Sequence, residues 1–270
     1  MGPVPVGGNH PPVFIAGPCV AEDAAMAFGY ARRLKDITAR HGVPFVFKAS
    51  YDKANRTSGQ SFRGPGLKEG LAFLGAAARE VGVPLLVDVH ETAQVGPAAA
   101  VADVLQVPAF LSRQTDLVEE CARSGRALNV KKGQFLAPDD VTHILSKARE
   151  AGGKNLTITE RGTTFGYHNL VVDMRGLWLM RQYGAPVIFD ATHSVQLPGG
   201  AGGKSGGQRE MVAPLARAAA AVGVDGYYME VHEKPELAKS DGPNALTFEM
   251  LDELVGDLVR IHRAVGRVTA

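Results

Sequence analysis

Four residues with metal-binding side chains follow short apolar segments that are widely separated in the chain. Cys19 follows the first segment, His193 follows the seventh, and Glu230 ends the eighth, with Asp241 in the loop beyond it. A thiolate, an imidazole and two carboxylates form a suitable ligand set for a divalent transition metal. Each residue alone has an ordinary structural explanation, such as core packing for the cysteine or an Asp-Gly-Pro turn for the aspartate. Only their joint occurrence points to a metal site.

A second group of residues at segment ends is cationic. In a chain of net charge +1 it forms a local excess of positive charge, and buried cations require anions. The pattern therefore predicts a site for several phosphates or carboxylates. Surface lysines with solvated ammonium groups are the alternative, reasonable for Lys132 but poor for a lysine that closes an apolar strand. The group consists of Lys48, Lys53, Arg56, Lys131 and Arg161.

Eight short apolar runs alternate with amphipathic helical patterns along the chain. Such runs are typical of parallel strands that are buried on both faces. Glycine follows several helical patterns as a C-cap signal, and a Gly-Val-Pro or Gly-Ala-Pro turn then opens the next strand. The predicted strands are 13–16, 44–48, 84–89, 103–107, 127–131, 155–160, 186–190 and 225–230. The predicted helices include 24–41, 66–81, 116–124, 170–183 and 212–222.

Eight strand–helix units in 270 residues predict a single-domain α/β protein, a (β/α)8 TIM barrel. The alternative is a doubly wound open sheet, which would favour a glycine-rich first turn that the sequence lacks. The barrel would span 13–270, after a flexible lead-in over 1–12 that is rich in glycine and proline. Closure would make strands seven, eight and one neighbours, with their chemistry at the C-terminal ends. The glycine-rich segment 197–208 is interpreted as a flexible loop, neither helix nor strand, that acts as a lid.

Composition excludes several classes of function. The chain has 29 lysines and arginines against 28 aspartates and glutamates, which argues against nucleic-acid and membrane-surface partners. The longest clean apolar stretch, 218–224, is far shorter than the roughly 20 residues of a spanning helix. The two cysteines, Cys19 and Cys121, cannot make a disulfide framework, and no secretory signal is evident. These features predict a cytoplasmic protein, with Cys121 a packing residue.

Longer motifs identify a family. The most specific is FKASYDKANRTS at 47–58. Others are FRGPGLKEG at 62–70, DVHE at 88–91, LQVPAFLSRQTDLV at 105–118, NVKKGQF at 129–135, RGTTFGYHNLVVDM at 161–174, FDATHSVQ at 189–196 and SDGPNAL at 240–246. Over nearly the whole chain the sequence resembles the 3-deoxy-D-manno-octulosonate 8-phosphate synthases. The resemblance implies a (β/α)8 barrel, usually a homotetramer. It also implies the family's activity, which condenses phosphoenolpyruvate with D-arabinose 5-phosphate and water. The products are the eight-carbon keto sugar phosphate, used for lipopolysaccharide synthesis, and phosphate.

The resemblance also bears on a cofactor. Family members that work without a metal carry asparagine at the position of Cys19, so this chain resembles the metal-dependent form. The implied ligands of one divalent ion are Cys19, His193, Glu230 and Asp241, the group already assembled from the strand ends. Zn, Fe(II), Mn and Co all suit this mixed set of sulfur, nitrogen and oxygen donors.

Substrate contacts follow from the same resemblance. The implied catalytic residues are Lys53, Lys131, Arg161, His193 and Asp241. Phosphoenolpyruvate would contact Lys48, Ser50, Lys53, Gln106, Ala109, Lys131, Arg161 and His193. The sugar phosphate would contact Asn55, Arg56, Thr57 and Asp88, although an interior hydrogen-bonded role for Asp88 stays open. Thr57 stands where serine is common in the family, and it keeps the hydroxyl.

Two other functions compete with this interpretation. A related synthase that uses erythrose 4-phosphate typically shows Lys-Pro-Arg-Thr, whereas this chain reads KANRT at 53–57. The inserted Asn55 favours the five-carbon sugar. A non-catalytic barrel that binds sugar phosphates is the second alternative, but such a protein would have lost ligands that are all present here.

Overall fold

The computed structural model describes residues 1–56, 58–199 and 206–266. Within these residues eight parallel strands close into one barrel. All eight predicted strands are confirmed, with small differences at their ends. The barrel strands are β1 (Val13–Gly17), β2 (Phe45–Lys48), β3 (Leu85–Asp88), β4 (Val104–Val107), β5 (Ala127–Lys131), β6 (Leu156–Glu160), β9 (Val187–Asp190) and β12 (Gly226–Glu230). Around the barrel they follow the order β1-β12-β9-β6-β5-β4-β3-β2.

Helices surround the barrel and cover the outer faces of the strands. The first begins where the Asp23 side chain accepts a hydrogen bond from the Met26 N–H, an N-cap. The helices are α1 (Ala24–Arg40), α2 (Leu67–Val81), α3 (Thr92–Ala99), α4 (Thr115–Arg123), α5 (Val141–Glu150), α6 (Met174–Arg181), α7 (Val212–Val222) and α8 (Phe248–Val265). Within the described part of the chain, no helix is long and apolar enough to cross a membrane.

Closure joins the first strand to the last. β1 pairs in parallel with β12, and the register sets Val13 opposite Gly226 and Gly17 opposite Glu230. β12 also pairs with β9, which ends at Asp190. The ends of these three strands therefore meet at one edge, as the sequence predicts, although more than 200 residues separate Cys19 from Glu230.

The core has two parts. One lies between the strands and the helices, where Cys121 is fully buried among apolar side chains, as predicted. The other fills the N-terminal end of the barrel interior, where Met1 is buried and Val4 and Val6 pack against it. Residues 1–12 thus cover this end of the barrel, and the polar side chains gather at the opposite end.

Two predictions about local structure are wrong. The helix predicted for 170–183 begins only at Met174, because Asp173 caps it and Leu170–Val171 pair antiparallel with Thr163–Thr164, strands β8 and β7. The segment 197–208 contains strand structure, because Gln196–Leu197 (β10) pair antiparallel with Gly206–Gly207 (β11). Such pairs form from contacts across a turn, which a search for continuous apolar runs overlooks. Residues 200–205 of that predicted lid lie outside the described residues.

Candidate active site

The predicted site residues gather at the C-terminal end of the barrel, around a cavity of about 700 Å³. Cys19, Lys48 and Ser50 are buried beside the lining rather than in it, and Thr57 lies outside the described residues. The predicted residues that line the cavity are Lys53, Asn55, Arg56, Asp88, Gln106, Ala109, Lys131, Arg161, His193, Glu230 and Asp241.

Three of the four predicted metal ligands form one cluster, and the fourth, His193, adjoins it. Ligand atoms of Cys19, Glu230 and Asp241 all lie within 4.8 Å of one another. The Nε2 atom of His193 lies 3.4 Å from Glu230 Oε1 and 3.6 Å from Asp241 Oδ2. Local backbone places two of these groups. Position 17, two residues before Cys19, requires glycine because a Cβ there would overlap the Lys48 carbonyl oxygen. Asp241 adopts the left-handed conformation, with a φ of 50°.

These side chains fit a divalent transition metal. Glu230 Oε2 is buried and has no hydrogen-bond partner within residues 1–56, 58–199 and 206–266, so it is free to bind a cation. The Cys19 sulfur lies 2.9 Å from Ser240 Oγ and 3.2 Å from Asp241 Oδ2. Burial, followed by the charge of Glu230, raises the pKa of this thiol well above its ordinary value. Sulfur, nitrogen and oxygen donors are together a set that Zn, Fe(II), Mn and Co accept.

A residue absent from the predicted site orients His193. Asp190, at the end of β9, places Oδ2 at 2.7 Å from His193 Nδ1 and at 2.7 Å from Lys131 Nζ. Burial opposes the charge of Asp190, but the His193 ring and the Lys131 ammonium outweigh it and hold the pKa of this carboxyl well below its usual range. With Nδ1 engaged, Nε2 faces the other donors. The sequence signal was a strand-end aspartate three residues before the histidine.

The predicted cations lie directly beside the candidate metal ligands, as the contact of Lys131 Nζ with His193 Nδ1 at 3.5 Å shows. Lys48 is 1% exposed, and its Nζ donates to the Cys19 carbonyl at 2.9 Å. Lys131 Nζ lies 3.6 Å from the centroid of the Tyr228 ring, a cation–π contact. Burial lowers the pKa of Lys131, and Asp190 only partly offsets this effect. Burial also acts against the charge of Lys53, but Cys19 and Asp88 outweigh it and raise its pKa.

Arg161 is buried and is held through one end of its guanidinium. One terminal nitrogen, NH2, donates to Gln196 Oε1 at 2.7 Å and to the His193 carbonyl at 3.3 Å. Its Nε is buried with no hydrogen-bond partner among the described residues. A guanidinium held along one edge, in a cavity of this kind, is suited to bind an anion with its remaining donors.

Asp88 belongs to an interior hydrogen-bond network. Its two carboxylate oxygens accept bonds from Ser50 and Gln106. Gln106 in turn accepts from Asn129 Nδ2 at 2.7 Å, and Lys53 Nζ donates to Ser50 Oγ at 2.9 Å. Asp88 also lines the cavity. The interior role that the sequence left open is therefore present, together with access to a ligand.

Arg56 joins two loops at the rim of the cavity. Its NH1 donates to Ser240 Oγ at 2.8 Å, and its NH2 donates to the Lys239 carbonyl at 2.8 Å. It also donates to the Phe62 carbonyl. Arg56 thus connects the loop after β2 with the loop that carries Asp241.

The interpretation of Lys132 as a solvated surface lysine is wrong. Lys132 is fully buried, with Nζ 3.5 Å from Glu160 Oε2 and 3.0 Å from the Leu136 carbonyl that accepts its hydrogen bond. The Lys131-Lys132 pair alternates faces at the end of β5, so Lys131 enters the cavity and Lys132 points away from it. The alternation identifies which of two adjacent lysines belongs to the site.

Comparison with known proteins bears directly on this arrangement. Residues 2–262 match the DAHP synthetase I family. The chain belongs to that family. The matched part of this DAHP synthetase I protein contains every residue of both candidate groups, the metal-binding cluster and the cations.

Individual relatives of this DAHP synthetase I family member are similar over almost their full length. A 2-dehydro-3-deoxyphosphooctonate aldolase of Bordetella petrii is 56% identical over 268 residues, which covers 97% of this chain and 94% of the relative. A protein of the same name from Geotalea daltonii is 56% identical over 265 residues, covering 98% and 97%. One from Acidithiobacillus ferrooxidans is 55% identical over 259 residues, covering 96% and 92%.

Proposed function

We propose that this enzyme condenses phosphoenolpyruvate with D-arabinose 5-phosphate and water, giving 3-deoxy-D-manno-octulosonate 8-phosphate and phosphate in lipopolysaccharide precursor synthesis. The observation that carries the proposal is the similarity, at 54–56% identity over nearly the whole chain, to proteins named 2-dehydro-3-deoxyphosphooctonate aldolase. The cavity agrees with it, because a cation-lined barrel mouth suits two anionic substrates.

The reaction requires one new carbon–carbon bond and the loss of phosphate by C–O cleavage. The C2=C3 electron pair of phosphoenolpyruvate attacks the aldehyde carbon of the sugar, whose oxygen takes up a proton. Water adds its oxygen to C2 and releases a proton, and the C2–O bond to phosphate then breaks, which leaves a ketone at C2. Negative charge develops on the aldehyde oxygen and on the leaving phosphate, so preorganised cationic donors accelerate these steps.

The side chains divide this work by position. Lys131 and Arg161, both deep in the cavity, would hold the carboxylate and phosphate of phosphoenolpyruvate, with Lys53 next to them. Lys48 and Ser50 are buried beside the lining and would act by supporting Lys53, Asp88 and Glu230. Gln106 and Ala109 complete the proposed phosphoenolpyruvate contacts. The sugar phosphate would meet Asn55, Arg56, Thr57 and Asp88.

We further propose the metal-dependent form of the enzyme. Cys19, His193, Glu230 and Asp241 would hold one divalent ion. Glu230 Oε2, which has no hydrogen-bond partner among the residues that the structure describes, supports this. The ion would supply Lewis-acid polarisation of the sugar aldehyde. In this arrangement Asp190 orients His193, and the chain's own cations hold the two substrates in reach of one another.

The proposed assembly is a cytoplasmic homotetramer. Aromatic side chains supply support, since Phe135 is 56% exposed, Phe165 70% and Tyr167 96%. Phe135 and Phe165 adjoin Gln134 and Thr164, which are hydrogen-bonded through their backbones at 2.9 Å. Exposed apolar patches of this kind mark protein contacts. Sedimentation velocity would test the assembly, and a monomer at micromolar concentration would contradict it.

The decisive experiment measures phosphate release from phosphoenolpyruvate with D-arabinose 5-phosphate, with erythrose 4-phosphate, or with neither. We expect release with the five-carbon sugar, loss of activity after EDTA and recovery when a divalent metal is restored. Faster release with erythrose 4-phosphate would favour the related synthase, and no release with either sugar would favour a non-catalytic barrel. Activity that survives verified removal of the metal would contradict the metal-dependent form.

Matched variants connect that activity to the cavity. Arg161→Met removes a buried cation and should reduce kcat/KM for phosphoenolpyruvate about 30-fold or more, since a buried charge-assisted contact is worth roughly 2–5 kcal/mol. Arg32→Met changes an exposed arginine of α1 and should leave kcat/KM unchanged.

A further inference from the structure

Gln196 lies between the anion-binding part of the cavity and the metal-binding cluster. Its Oε1 accepts a hydrogen bond from Arg161 NH2 at 2.7 Å, and its Nε2 donates to Asp241 Oδ1 at 2.8 Å. Gln196 is 9% exposed. We propose that Gln196 is a positioning residue that orients both partners and thereby makes phosphoenolpyruvate and the metal bind cooperatively. The inference rests on the proposed function, because it takes phosphoenolpyruvate as the anion.

The contact with Asp241 determines which carboxylate oxygen faces the cluster. Oδ1 is occupied by Gln196, whereas Oδ2 lies 3.2 Å from the Cys19 sulfur and 3.6 Å from His193 Nε2. Asp241 also stands in the left-handed backbone region, which is uncommon for residues other than glycine. A side-chain bond from Gln196 therefore holds a ligand whose own backbone conformation is not a preferred one.

The contact with Arg161 has the complementary effect. Gln196 and the His193 carbonyl hold NH2, and the buried Nε has no hydrogen-bond partner in the part of the chain that the structure describes. An anion that approaches the free edge of the guanidinium meets a group whose orientation is already set. Without Gln196, Arg161 would lose one of the two acceptors that hold NH2.

Backbone contacts hold Gln196 itself in place. It begins β10 and pairs with Gly207 of β11. The same hairpin reaches the loop of Asp241, because Arg209 NH2 donates to the Gly242 carbonyl at 2.6 Å. Gly207 also lies directly against the Asn244 side chain. The hairpin and the loop are thus joined at several points, and Gln196 connects this unit to Arg161.

An amide suits this position because it carries an acceptor for Arg161 and a donor for Asp241 on one group. A glutamate would place a carboxylate against Asp241, a lysine would place an ammonium against Arg161, and an apolar side chain would leave each partner without its bond. Because one amide serves both partners, an anion that fixes Arg161 also fixes Asp241. Linkage then requires that the metal strengthen anion binding by the same factor as the anion strengthens metal binding.

The test measures the mutual factor, by which the metal and phosphoenolpyruvate each strengthen the binding of the other. Titration of the EDTA-treated protein with Co(II), with and without phosphoenolpyruvate, gives the metal Kd from the cobalt absorption spectrum. Calorimetry gives the phosphoenolpyruvate Kd with and without Co(II). We expect at least a fivefold strengthening in both directions for the unmodified chain. Neither measurement requires the aldehyde, so the coupling is tested even if phosphate release with arabinose 5-phosphate fails.

Two variants at Gln196 test whether its hydrogen bonds to Arg161 and Asp241 couple the two ligands. Gln196→Met keeps the length of the side chain without its hydrogen bonds, and it should weaken Co(II) binding about 10- to 100-fold, as loss of an outer-shell partner does. Gln196→Asn keeps the polarity but is one methylene too short to reach both partners. Both variants should reduce the mutual factor to near 1. Gln182→Met, at an exposed glutamine after α6, is the control and should retain it.

The steady-state constants KM and kcat of the Gln196 variants provide a second measurement. Loss of positioning should raise KM for phosphoenolpyruvate at saturating metal as well as lower kcat, and circular dichroism should show an intact fold. The proposal is overturned if the unmodified chain shows no coupling, or if either variant at Gln196 retains the full factor. It is also overturned if Gln182→Met loses the factor to the same extent.

Discussion

His193 Nδ1 and Asp190 Oδ2 lie 2.7 Å apart, both buried at the end of one strand. Asp190 Oδ1 also accepts the His193 backbone N–H at 2.9 Å, so the same carboxylate holds the ring and its backbone. Lys131 Nζ shares Oδ2. One carboxylate thus connects a proposed metal ligand with a proposed substrate cation. A histidine whose Nδ1 donates to a carboxylate presents Nε2 as its free ligand atom.

Asp190→Asn should therefore impair the site without a large change in shape. Both carboxylate oxygens of Asp190 accept hydrogen bonds, Oδ2 from Lys131 and the His193 ring and Oδ1 from the His193 backbone N–H. An amide has only one acceptor oxygen, so in either orientation its NH2 group would face a donor. We expect Co(II) binding to weaken about 10- to 100-fold and kcat to fall by a similar factor. Isothermal titration with Co(II) and steady-state assays measure the two effects. Asp36→Asn, at an exposed position of α1, is the control; near-normal Co(II) binding by Asp190→Asn would contradict the role.

The two cysteines should differ in chemical reactivity. Cys121 is fully buried in α4, and burial raises its pKa to about 12, so iodoacetamide should not modify it in the native protein at pH 8. Cys19 adjoins the cavity and should react slowly after EDTA treatment. Added Zn(II) should protect it, because the sulfur would then be a ligand. Peptide mass spectrometry measures each site.

Protection of Cys19 by Zn(II) needs its own control. In Glu230→Gln, Cys19 should stay reactive at Zn(II) concentrations that protect the unmodified chain, since one ligand is weakened. Zn(II) that fails to slow the reaction of Cys19 in the unmodified chain would count against the metal site.

Lys132 and Glu160 should contribute to stability as a pair. Lys132→Met leaves the buried Glu160 carboxylate without its ammonium partner, and removal of one member of a buried pair costs about 3–5 kcal/mol. The double variant Lys132→Met with Glu160→Gln removes the unpaired charge and keeps an acceptor for the Gly162 N–H, which Glu160 Oε1 binds at 2.6 Å. Urea unfolding should show that the double variant recovers more than half of the unfolding free energy that Lys132→Met loses. A single variant as stable as the unmodified chain would refute this account.

Gly207 should resist replacement because of one neighbour. A Cβ at Gly207 would overlap the Asn244 side chain, which is buried and lies three residues after Asp241. Gly207→Ala should displace Asn244, move the loop of Asp241 and weaken Co(II) binding several-fold. Gly207→Ala combined with Asn244→Ala should restore most of the affinity, since the overlap is relieved. Equal losses in the single and the double variant would point to a cause other than this contact.

Local patterns in the sequence were sufficient to predict the strands and the barrel. Each strand from Val13–Gly17 to Gly226–Glu230 is a short apolar run buried on both faces, and such runs are visible without knowledge of their neighbours. The hairpins were missed because Leu170–Val171 and Gly206–Gly207 depend on partners across a turn. Their residues carry no periodic signal of their own.

The sequence by itself determined which chemical groups the site contains: cations, carboxylates, a thiol and an imidazole at strand ends. The net charge of +1 also argues against nucleic-acid and membrane-surface partners. Only the tertiary structure decided which of these chemical groups meet. The register of β1 against β12 brings Cys19 to Glu230, and the pleat at the end of β5 turns Lys131 inward and Lys132 away. Gln196 and Asp190 acquire their roles through side-chain contacts, and Gln196 reaches partners 35 and 45 residues away. Such contacts depend on barrel closure and loop paths, which no local pattern encodes.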